Sequence, residues 1–402
     1  MKKFGIIKNY QYFCNMNKRI CFLMDSIFSY GGVQRVTAVI AKELAKDNDV
    51  TILTFDSPQA EDKSIYGLDE ANIHYRYFSY PKVGYFKWRF CKAYSLLYRK
   101  VLPKTRLTSD WYMHSSFPSE KRDALAEELK QGNYDVIIGV HAPLAVRLAA
   151  CRKQLGSTKL IGWIHNSYEA LFGKKSFYIG PELRKHYEWQ LEKLDSTVVL
   201  CQNDAEKYHF PTKVIYNPLT LAPGEPSKGT SKKFLAIGRF SHQHKGFDLL
   251  IEAFHIFAEE NKDWTLNIVG EGVEEPMYRK LIQEYQLEER ITIHPFTNHV
   301  QYYYSNAQVY VLSSRWEGMP LVLMEAMSHG LPIVTSDLPI CKEIMGDFAI
   351  YFHNGDIKGL AQQMRLATQI DWQEKSKEAV EIAQRFSIEN IISQWKALIY
   401  DK

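Results

Sequence analysis

The sequence predicts an α/β protein of two domains, each built on a parallel sheet. Its 402 residues exceed one ordinary core and indicate two domains of about 200 residues each. Short apolar runs, typical of buried parallel strands, alternate with helical segments in both halves. Residues 219–232 are rich in proline, glycine and serine and lack periodicity, as linkers do. We therefore expect an extension at 1–15, domains at 16–218 and 233–385, and a terminal helix within 386–402.

The composition is that of a folded globular protein, with 46% hydrophobic and 24% charged residues and a net charge of +4. The six cysteines are widely scattered and form no Cys-x-x-Cys pair, so a reduced setting is expected. No apolar run approaches the ~20 residues that span a bilayer. These observations predict a cytoplasmic protein.

The first β-loop-α-β unit places two glycines at the carboxyl end of a strand. The apolar run at 20–24 is followed by Gly31 and Gly32, which open a helix, and the chain returns as a strand at 51–55. Open α/β sheets bind ligands at this edge. The pattern is not G-x-G-x-x-G, so a dinucleotide site is only weakly indicated. The glycines are either turn residues or ligand contacts.

A basic and aromatic stretch follows. Residues 71–109 contain no Asp or Glu, while cations at 76–106 alternate with aromatic side chains. This composition suits an anionic membrane surface, where aromatic rings sit at the headgroup level. We expect a membrane contact here, with nucleic acid as the less favoured partner. The alternative is an ordinary solvated face over an aromatic core.

Another candidate residue follows a strand of the first half. His165 comes directly after the apolar run at 159–164, where it could donate a hydrogen bond or shuttle a proton. It is one histidine of 13, and a structural role is as plausible from its position alone.

In the second half, a strand at 309–312 leads through a short loop to a helix that begins near Pro320. Gly318 allows close approach to the backbone, and the first helical amides have no internal partners, so they form an anion site. Glu317 and Glu325 flank that site, and carboxylates suit paired hydroxyl groups. A nucleotide sugar has hydroxyls on both sides of a diphosphate and fits this arrangement.

Two cations follow the first strand of the second sheet. Arg239, next to Gly238, and Lys245 can both reach a ligand at the edge that carries Glu317. The rigid fork of an arginine and the point charge of a lysine together suit a diphosphate. His242 and His244 lie in the same loop without a further ligand at metal spacing, so zinc is not indicated.

These residues resemble family 4 of the glycosyltransferases, which have the GT-B fold. The resemblance covers about residues 16–400 and is most specific in the glutamate-seven-glutamate element from Glu317 to Glu325. The other matching motifs are Gly31-Gly32-Val33, His165, Asn217-Pro218, Gly238-Arg239 and Lys245-Gly246.

The resemblance implies two Rossmann-like domains that face a central cleft, with the final helix crossing back to the N-terminal domain. Arg239 and Lys245 would neutralise the diphosphate, Glu325 would bind the ribose diol and Glu317 would contact the transferred sugar. The roles of other residues are also implied by the family. Backbone amides of Gly318, Met319 and Leu321 would assist the sugar and phosphate, and His165 and the Gly31-Gly32 loop would act from the N-terminal domain.

Similar proteins transfer with retention of configuration and without a metal, so no cofactor is expected. The Asp47-Asn48-Asp49 sequence matches the D-x-D pattern of metal-dependent sugar transferases. It lies at the opposite edge of its unit from the glycines, where Asp and Asn are ordinary turn formers. We expect no metal there.

The resemblance and the basic stretch together imply a nucleotide sugar, with UDP favoured, as donor. The expected acceptor is a lipid-linked saccharide or glycolipid, reached from the inner face of the membrane. Two alternatives stay open. One is a reaction on the same fold without transfer, such as nucleotide-sugar epimerisation or phosphorolysis, and the other is a non-catalytic scaffold that binds nucleotide sugars.

Overall fold

The computed structural model describes residues 17–174, 176, 178–221, 224–240 and 244–401. The predicted extension at 1–15, two residues of the predicted linker and His242 lie outside the described residues.

The chain divides into two compact units that interleave along the sequence. The first unit contains the described residues of 1–164, 185–197 and 399–402, and the second contains those of 165–184 and 198–398. The predicted linker at 219–232 does not mark this division, and its role as a domain boundary stays a prediction.

The first sheet has seven strands in the order β3-β2-β1-β4-β5-β6-β7, and its described pairings are parallel. The strands are β1 Arg19–Met24, β2 Asp49–Thr54, β3 Ile73–Tyr77, β4 Val136–Val140, β5 Lys159–Trp163, β6 Ser196–Val199 and β7 Lys213–Val214. The helices of this half are α1 Gly32–Leu44, α2 Tyr85–Lys100, α3 Arg106–Ser116, α4 Ser119–Gln131, α5 Ala142–Ala150, α6 Tyr168–Phe172, α7 Arg184–Leu191 and α8 Gln202–Ala205.

The second sheet has six strands in the order β10-β9-β8-β11-β12-β13, and its pairings are also parallel. The strands are β8 Lys233–Ile237, β9 Thr265–Val269, β10 Ile291–His294, β11 Val309–Leu312, β12 Ile333–Ser336 and β13 Ile350–Phe352. The helices are α9 Phe247–Ala258, α10 Glu275–Glu284, α11 Val300–Ser305, α12 Leu321–Ser328, α13 Pro339–Met345, α14 Ile357–Ala367, α15 Trp372–Gln384 and α16 Ile388–Tyr400.

The central strands are buried on both faces, which explains their unbroken apolar sequences. All residues of β11 and β12 are buried, as are those of β4. Helices cover parallel sheets from both sides, so neither face of such a strand needs polar side chains. The prediction of two parallel-sheet, Rossmann-like α/β domains is confirmed.

The order of the second sheet positions the candidate site. β8 and β11 are neighbours although β9 and β10 lie between them in sequence. The direction of the strand order reverses between these two neighbours, which is where open α/β sheets form a crevice at their carboxyl edge. The loops that follow β8 and β11 therefore meet.

The end of the terminal helix belongs to the first unit. Lys18 Nζ donates a 2.9 Å hydrogen bond to the Ile399 carbonyl. The Tyr400 hydroxyl donates a 2.6 Å bond to Asn48 Oδ1. These contacts tie the last turn of α16 to residues that flank β1 and β2.

Candidate functional site

The loops after β8 and β11 are joined through their backbones. Ser313 Oγ donates a 2.8 Å hydrogen bond to the Lys245 carbonyl, and the Arg315 amide donates a 2.8 Å bond to the His244 carbonyl. Gly246 has a φ of +64°, and a β-carbon there would lie 2.1 Å from the Ser313 carbonyl oxygen. Only glycine fits this position without a shift of the backbone. Residues 244–246 and 313–315 are thus held in register.

This register brings Lys245 onto Glu317. Lys245 Nζ lies 2.6 Å from Glu317 Oε1, with side-chain exposures of 15% and 6%. The Ser314 hydroxyl donates a second hydrogen bond of 2.6 Å to the same carboxylate oxygen. Both residues were predicted to lie at one sheet edge, and the structure shows that they form a buried ion pair.

His244 adds a second potential positive charge to the pair. Its Nε2 lies 2.6 Å from the Trp316 carbonyl oxygen, which can only accept, so this nitrogen carries a hydrogen. The same nitrogen lies 3.7 Å from Glu317 Oε2. The imidazole also stacks on the Trp316 ring at 4.8 Å between centroids. His244 therefore packs between the Trp316 ring and the Glu317 carboxylate.

The environment of Glu317 favours its ionised form. Burial by itself would raise the pKa of Glu317. The charges of Lys245 and His244, with hydrogen bonds from Lys245 and Ser314, outweigh burial and hold the pKa below its usual value. Glu317 is therefore a carboxylate at neutral pH and acts only as an acceptor.

Glu325 lies on α12 and is also buried. Its Oε2 accepts a 2.9 Å hydrogen bond from the Tyr304 hydroxyl, and its Oε1 lies 3.4 Å from Thr220 Oγ1. The Tyr304 ring stacks on His329 at 5.1 Å between centroids. His329 Nδ1 in turn lies 2.8 Å from the Glu325 carbonyl oxygen. Oε2 therefore has a short hydroxyl contact, and the contact of Oε1 to Thr220 is longer.

Gly318 allows the loop to approach a second backbone segment. A β-carbon at Gly318 would lie 2.3 Å from the His165 carbonyl oxygen and 3.4 Å from the Asn166 Cα. Met319 joins the same cluster, because its sulfur accepts a 3.0 Å hydrogen bond from the Asn217 amide. His165 is 7% exposed. The structure thus brings His165, Asn217 and the Glu317 loop together, and all belong to the second unit.

The other predicted site residues are more dispersed. Gly238 and the exposed Arg239 follow β8 directly, and Leu321 is the first residue of α12. Gly31 and Gly32 lie in the first unit, where Gly31 precedes α1. The Gly31 amide donates a 2.7 Å hydrogen bond to the Tyr66 hydroxyl. A ligand role for these glycines stays a prediction.

His141 follows β4 at the carboxyl edge of the first sheet and was not predicted as a site residue. Its φ of +74° is unusual for a residue other than glycine. Burial lowers the pKa of His141, and the charge of Asp25 opposes that shift. The available signal was the same one that selected His165, a histidine directly after an apolar strand.

Among the residues that the structure describes, no group of three or more His, Cys, Asp or Glu side chains is placed to hold a metal ion. Asp47 lies in the turn between α1 and β2, as predicted. Within the described ranges, no helix combines the length and apolar character needed to cross a bilayer.

Two family models match the chain. The model described as "Glycosyl transferases group 1" matches residues 220–386, and the model described as "Glycosyltransferase Family 4" matches residues 30–222.

Individual glycosyltransferases and a solved structure are also similar to this chain. An uncharacterized glycosyltransferase of Haemophilus influenzae is 27% identical over 399 residues, covering 95% of this chain and 100% of its own length. A lipopolysaccharide 1,6-galactosyltransferase of Salmonella typhimurium is 29% identical over 131 residues, 31% of this chain and 36% of its own. The crystal structure of HepE from Anabaena in complex with UDP superposes with a TM-score of 0.73 at 19% identity, covering 96% of this chain and 100% of that one.

Proposed function

Because this chain belongs to the group 1 and family 4 glycosyltransferases and has their GT-B fold, we propose that it transfers a sugar from UDP to a membrane-associated saccharide. The transferred group is a hexosyl or N-acetylhexosaminyl unit. Transfer proceeds with retention of configuration and without a metal ion. The wider role is in the assembly of a cell-surface polysaccharide or glycolipid.

The observation that carries this proposal is the buried, ionised Glu317 beside Lys245. A charged carboxylate at 6% exposure is costly to bury unless partners compensate it. Such a group is suited to accept hydrogen bonds from the hydroxyls of a neutral sugar. Lys245 is suited to the diphosphate, so the pair offers complementary contacts to the two halves of a nucleotide sugar.

Lys245 is proposed to stabilise the nucleotide as it departs from the sugar. Breaking the bond from sugar to phosphate places negative charge on the departing β-phosphate oxygen. A cation that is already positioned by the backbone of residues 244–246 stabilises that charge more in the transition state than in the ground state. Arg239, which follows the same strand, supplies a second cation from the exposed rim of the loop.

Glu317 keeps its position when Lys245 turns to a phosphate. Ser314 continues to donate to Oε1 at 2.6 Å, and His244 lies 3.7 Å from Oε2. The carboxylate therefore has a fixed orientation toward sugar hydroxyls without its lysine. Metal-free stabilisation of the diphosphate rests on Arg239, Lys245 and the amides of Gly318, Met319 and Leu321.

In this proposal, Glu325 binds the ribose of the nucleoside. Tyr304 holds Oε2 and orients the carboxylate, while Oε1 faces the weaker partner Thr220 at 3.4 Å. A ribose diol can replace that weaker contact and donate from one or both hydroxyls. The two glutamates then bind the two sugars of the donor.

UDP and a saccharide acceptor are supported by similar proteins. The HepE structure of the same fold holds UDP, and the Salmonella relative is named for galactosyl transfer to lipopolysaccharide. The basic stretch of the first unit adds a reason to place the acceptor at a membrane. Retention and the role of His165 rest on the family resemblance.

A thermal-shift screen of the purified chain against UDP, GDP and CMP, without added metal, tests the donor. A ligand at ~100 times its dissociation constant stabilises a fold by about 2.7 kcal/mol, a shift that is readily seen. We expect UDP to act and Arg239→Ala to abolish its effect. Lys358→Ala, which removes an exposed cation on α14, should leave the UDP shift unchanged.

The outcomes separate the alternatives. Absence of a shift with all three nucleotides would contradict the proposal, and a shift with GDP or CMP alone would contradict the choice of UDP. Incubation of the enzyme with UDP-glucose alone then distinguishes transfer from epimerisation, because an epimerase forms its product without an acceptor.

A further inference from the structure

Helix α2 carries an apolar stripe that it uses for packing. Cys91 and Tyr98 are buried on this side. The Tyr98 ring stacks on Tyr112 of α3 at 4.6 Å between centroids, and the Tyr94 hydroxyl donates a 3.2 Å hydrogen bond to the Thr108 carbonyl. This inner stripe therefore packs α2 against α3.

A second apolar stripe lies roughly a quarter-turn around α2 from the inner stripe and faces solvent. Phe86, Phe90 and Leu97 follow each other at spacings of four and seven, which places them on one face. Val101 continues the line after the helix ends. Their exposures are 86%, 72%, 44% and 72%. A helix on the surface of a globular protein usually presents polar residues there, whereas Phe86, Phe90 and Val101 of this outer stripe leave most of their apolar surface exposed.

Neighbouring α3 extends the same apolar character. Leu107 and Trp111 are four residues apart, so they share a face of α3. They are 69% and 61% exposed. The two helices together present large apolar side chains that a folded core has not covered.

Cations flank the outer stripe. Arg89 lies three residues after Phe86, and Lys100 three residues after Leu97, so both adjoin the stripe. Lys92 lies on the side of α2 away from the stripe, because it comes two residues after Phe90. The Arg89 guanidinium donates a 2.9 Å bond to the Tyr85 hydroxyl, and Lys92 Nζ lies 5.0 Å from the centroid of the Trp88 ring.

These cations keep their charge available. In the described part of the chain, no carboxylate forms an ion pair with Arg89, Lys92 or Lys100. On the other flank Lys87 is neutralised, because it lies 2.7 Å from Glu120. The outer stripe is therefore bordered by uncompensated positive charge on one side.

We propose that the outer stripe of α2 docks on an anionic lipid bilayer, with α2 parallel to the membrane plane. Phe86, Phe90, Leu97 and Val101 enter the boundary between headgroups and acyl chains, and the flanking cations contact lipid phosphates. Charge complementarity selects this occupant. In a symmetric contact between two copies, the cations of one helix would face those of the other.

The proposal deepens the proposed function, because it names the surface that brings a membrane-associated acceptor to the enzyme. Vesicle binding needs no donor and no acceptor, so it is measured independently of transfer.

Co-sedimentation of the full chain with vesicles is the primary test. We expect binding to phosphatidylcholine vesicles that contain phosphatidylglycerol, little binding to pure phosphatidylcholine, and weakening as salt shortens the range of electrostatic attraction. Phe86→Ser combined with Phe90→Ser should lower the partition coefficient at least about tenfold, because two aromatic side chains lose their burial in the interface. Val273→Ser is the matched control, since Val273 is 86% exposed in the second unit.

A charge variant tests the flank separately. Arg89→Glu combined with Lys100→Glu, the two cations beside the stripe, should reduce binding to the anionic vesicles at least about tenfold. The matched control is Lys358→Glu combined with Lys377→Glu, two exposed cations of the second unit. Both α2 variants change exposed side chains, so their unfolding temperatures should match that of the unmodified chain.

Four results would overturn the proposal. The first is equal binding to neutral and anionic vesicles, and the second is undiminished binding by the α2 variants. The third is displacement of the vesicles by RNA with loss of RNA binding in the charge variant. The fourth is a dimer in sedimentation velocity that Phe86→Ser dissociates.

Failure of the proposed function is recognised separately. The α2 variants should keep the full UDP thermal shift. If UDP produces no shift while vesicle binding remains sensitive to Phe86 and Arg89, the donor proposal fails and the docking surface stands. If UDP produces a shift but the chain does not bind vesicles, the docking surface fails and the donor proposal stands.

Discussion

Replacing Lys245 by methionine should destabilise the protein by leaving a buried carboxylate without its partner. The lysine nitrogen lies 2.6 Å from Glu317, and the two side chains are 15% and 6% exposed. Removal of one partner from a buried pair costs about 3–5 kcal/mol. Ser314 still donates to the carboxylate, so we expect a loss of about 3 kcal/mol in the free energy of unfolding at pH 8.

The pH dependence of this loss follows from the pKa of Glu317. In the unmodified protein that pKa is lowered, so the stabilising contribution is complete above the unfolded-state pKa and lost as pH falls through the folded-state pKa. Without Lys245, burial dominates and we expect the pKa to be raised. The folded variant then binds a proton more readily than the unfolded chain, so its stability falls as pH rises through the raised pKa. The difference between the two proteins is therefore larger at pH 8 than at pH 5.

Denaturant unfolding at pH 5 and pH 8 measures this effect. Lys245→Met combined with Glu317→Gln should be more stable at pH 8 than Lys245→Met alone, because the unpaired charge is gone. Equal losses at both pH values, or a loss below about 1 kcal/mol at pH 8, would refute the account of Glu317 as a buried charge that depends on Lys245.

Three further variants test the site and the metal-free proposal. Gly246→Ala should lower the free energy of unfolding by more than Gly355→Ala, for which we expect about 1 kcal/mol of backbone strain. Of these two positions, only Gly246 places the added β-carbon against a carbonyl oxygen, at 2.1 Å. Denaturant unfolding of both variants gives the comparison, and equal losses would contradict this account. Glu325→Ala should weaken UDP binding at least about tenfold by calorimetry, since a charge-assisted hydrogen bond contributes about 1.5–3 kcal/mol; unchanged affinity would remove Glu325 from the nucleoside site. Asp47→Asn should leave the transfer rate unchanged and EDTA should not inhibit; strong inhibition by EDTA would contradict the metal-free proposal.

The elements of the fold were largely predictable because their signals are local. The run Val309–Leu312 is apolar throughout since both faces of β11 are covered, and α12 begins next to Pro320 because proline suits the first turn. The motif from Glu317 to Glu325 was equally visible, since its loop and helix are contiguous in sequence. The terminal segment was recognised as a helix, but its contact partners could not be predicted from its periodicity.

Long-range geometry was decided by the tertiary structure. Sequence spacing placed Lys245 and Glu317 at one sheet edge, but only the pairing of β8 with β11 and the joined loops make them a buried ion pair. The same distinction holds for α2. Its composition indicated a membrane contact, while packing on α3 decided that Tyr98 is buried and Phe86 is exposed. Local patterns reflect which residues prefer a helix, a strand or a turn, whereas charge compensation and exposure depend on residues far apart in the chain that only the folded backbone brings together.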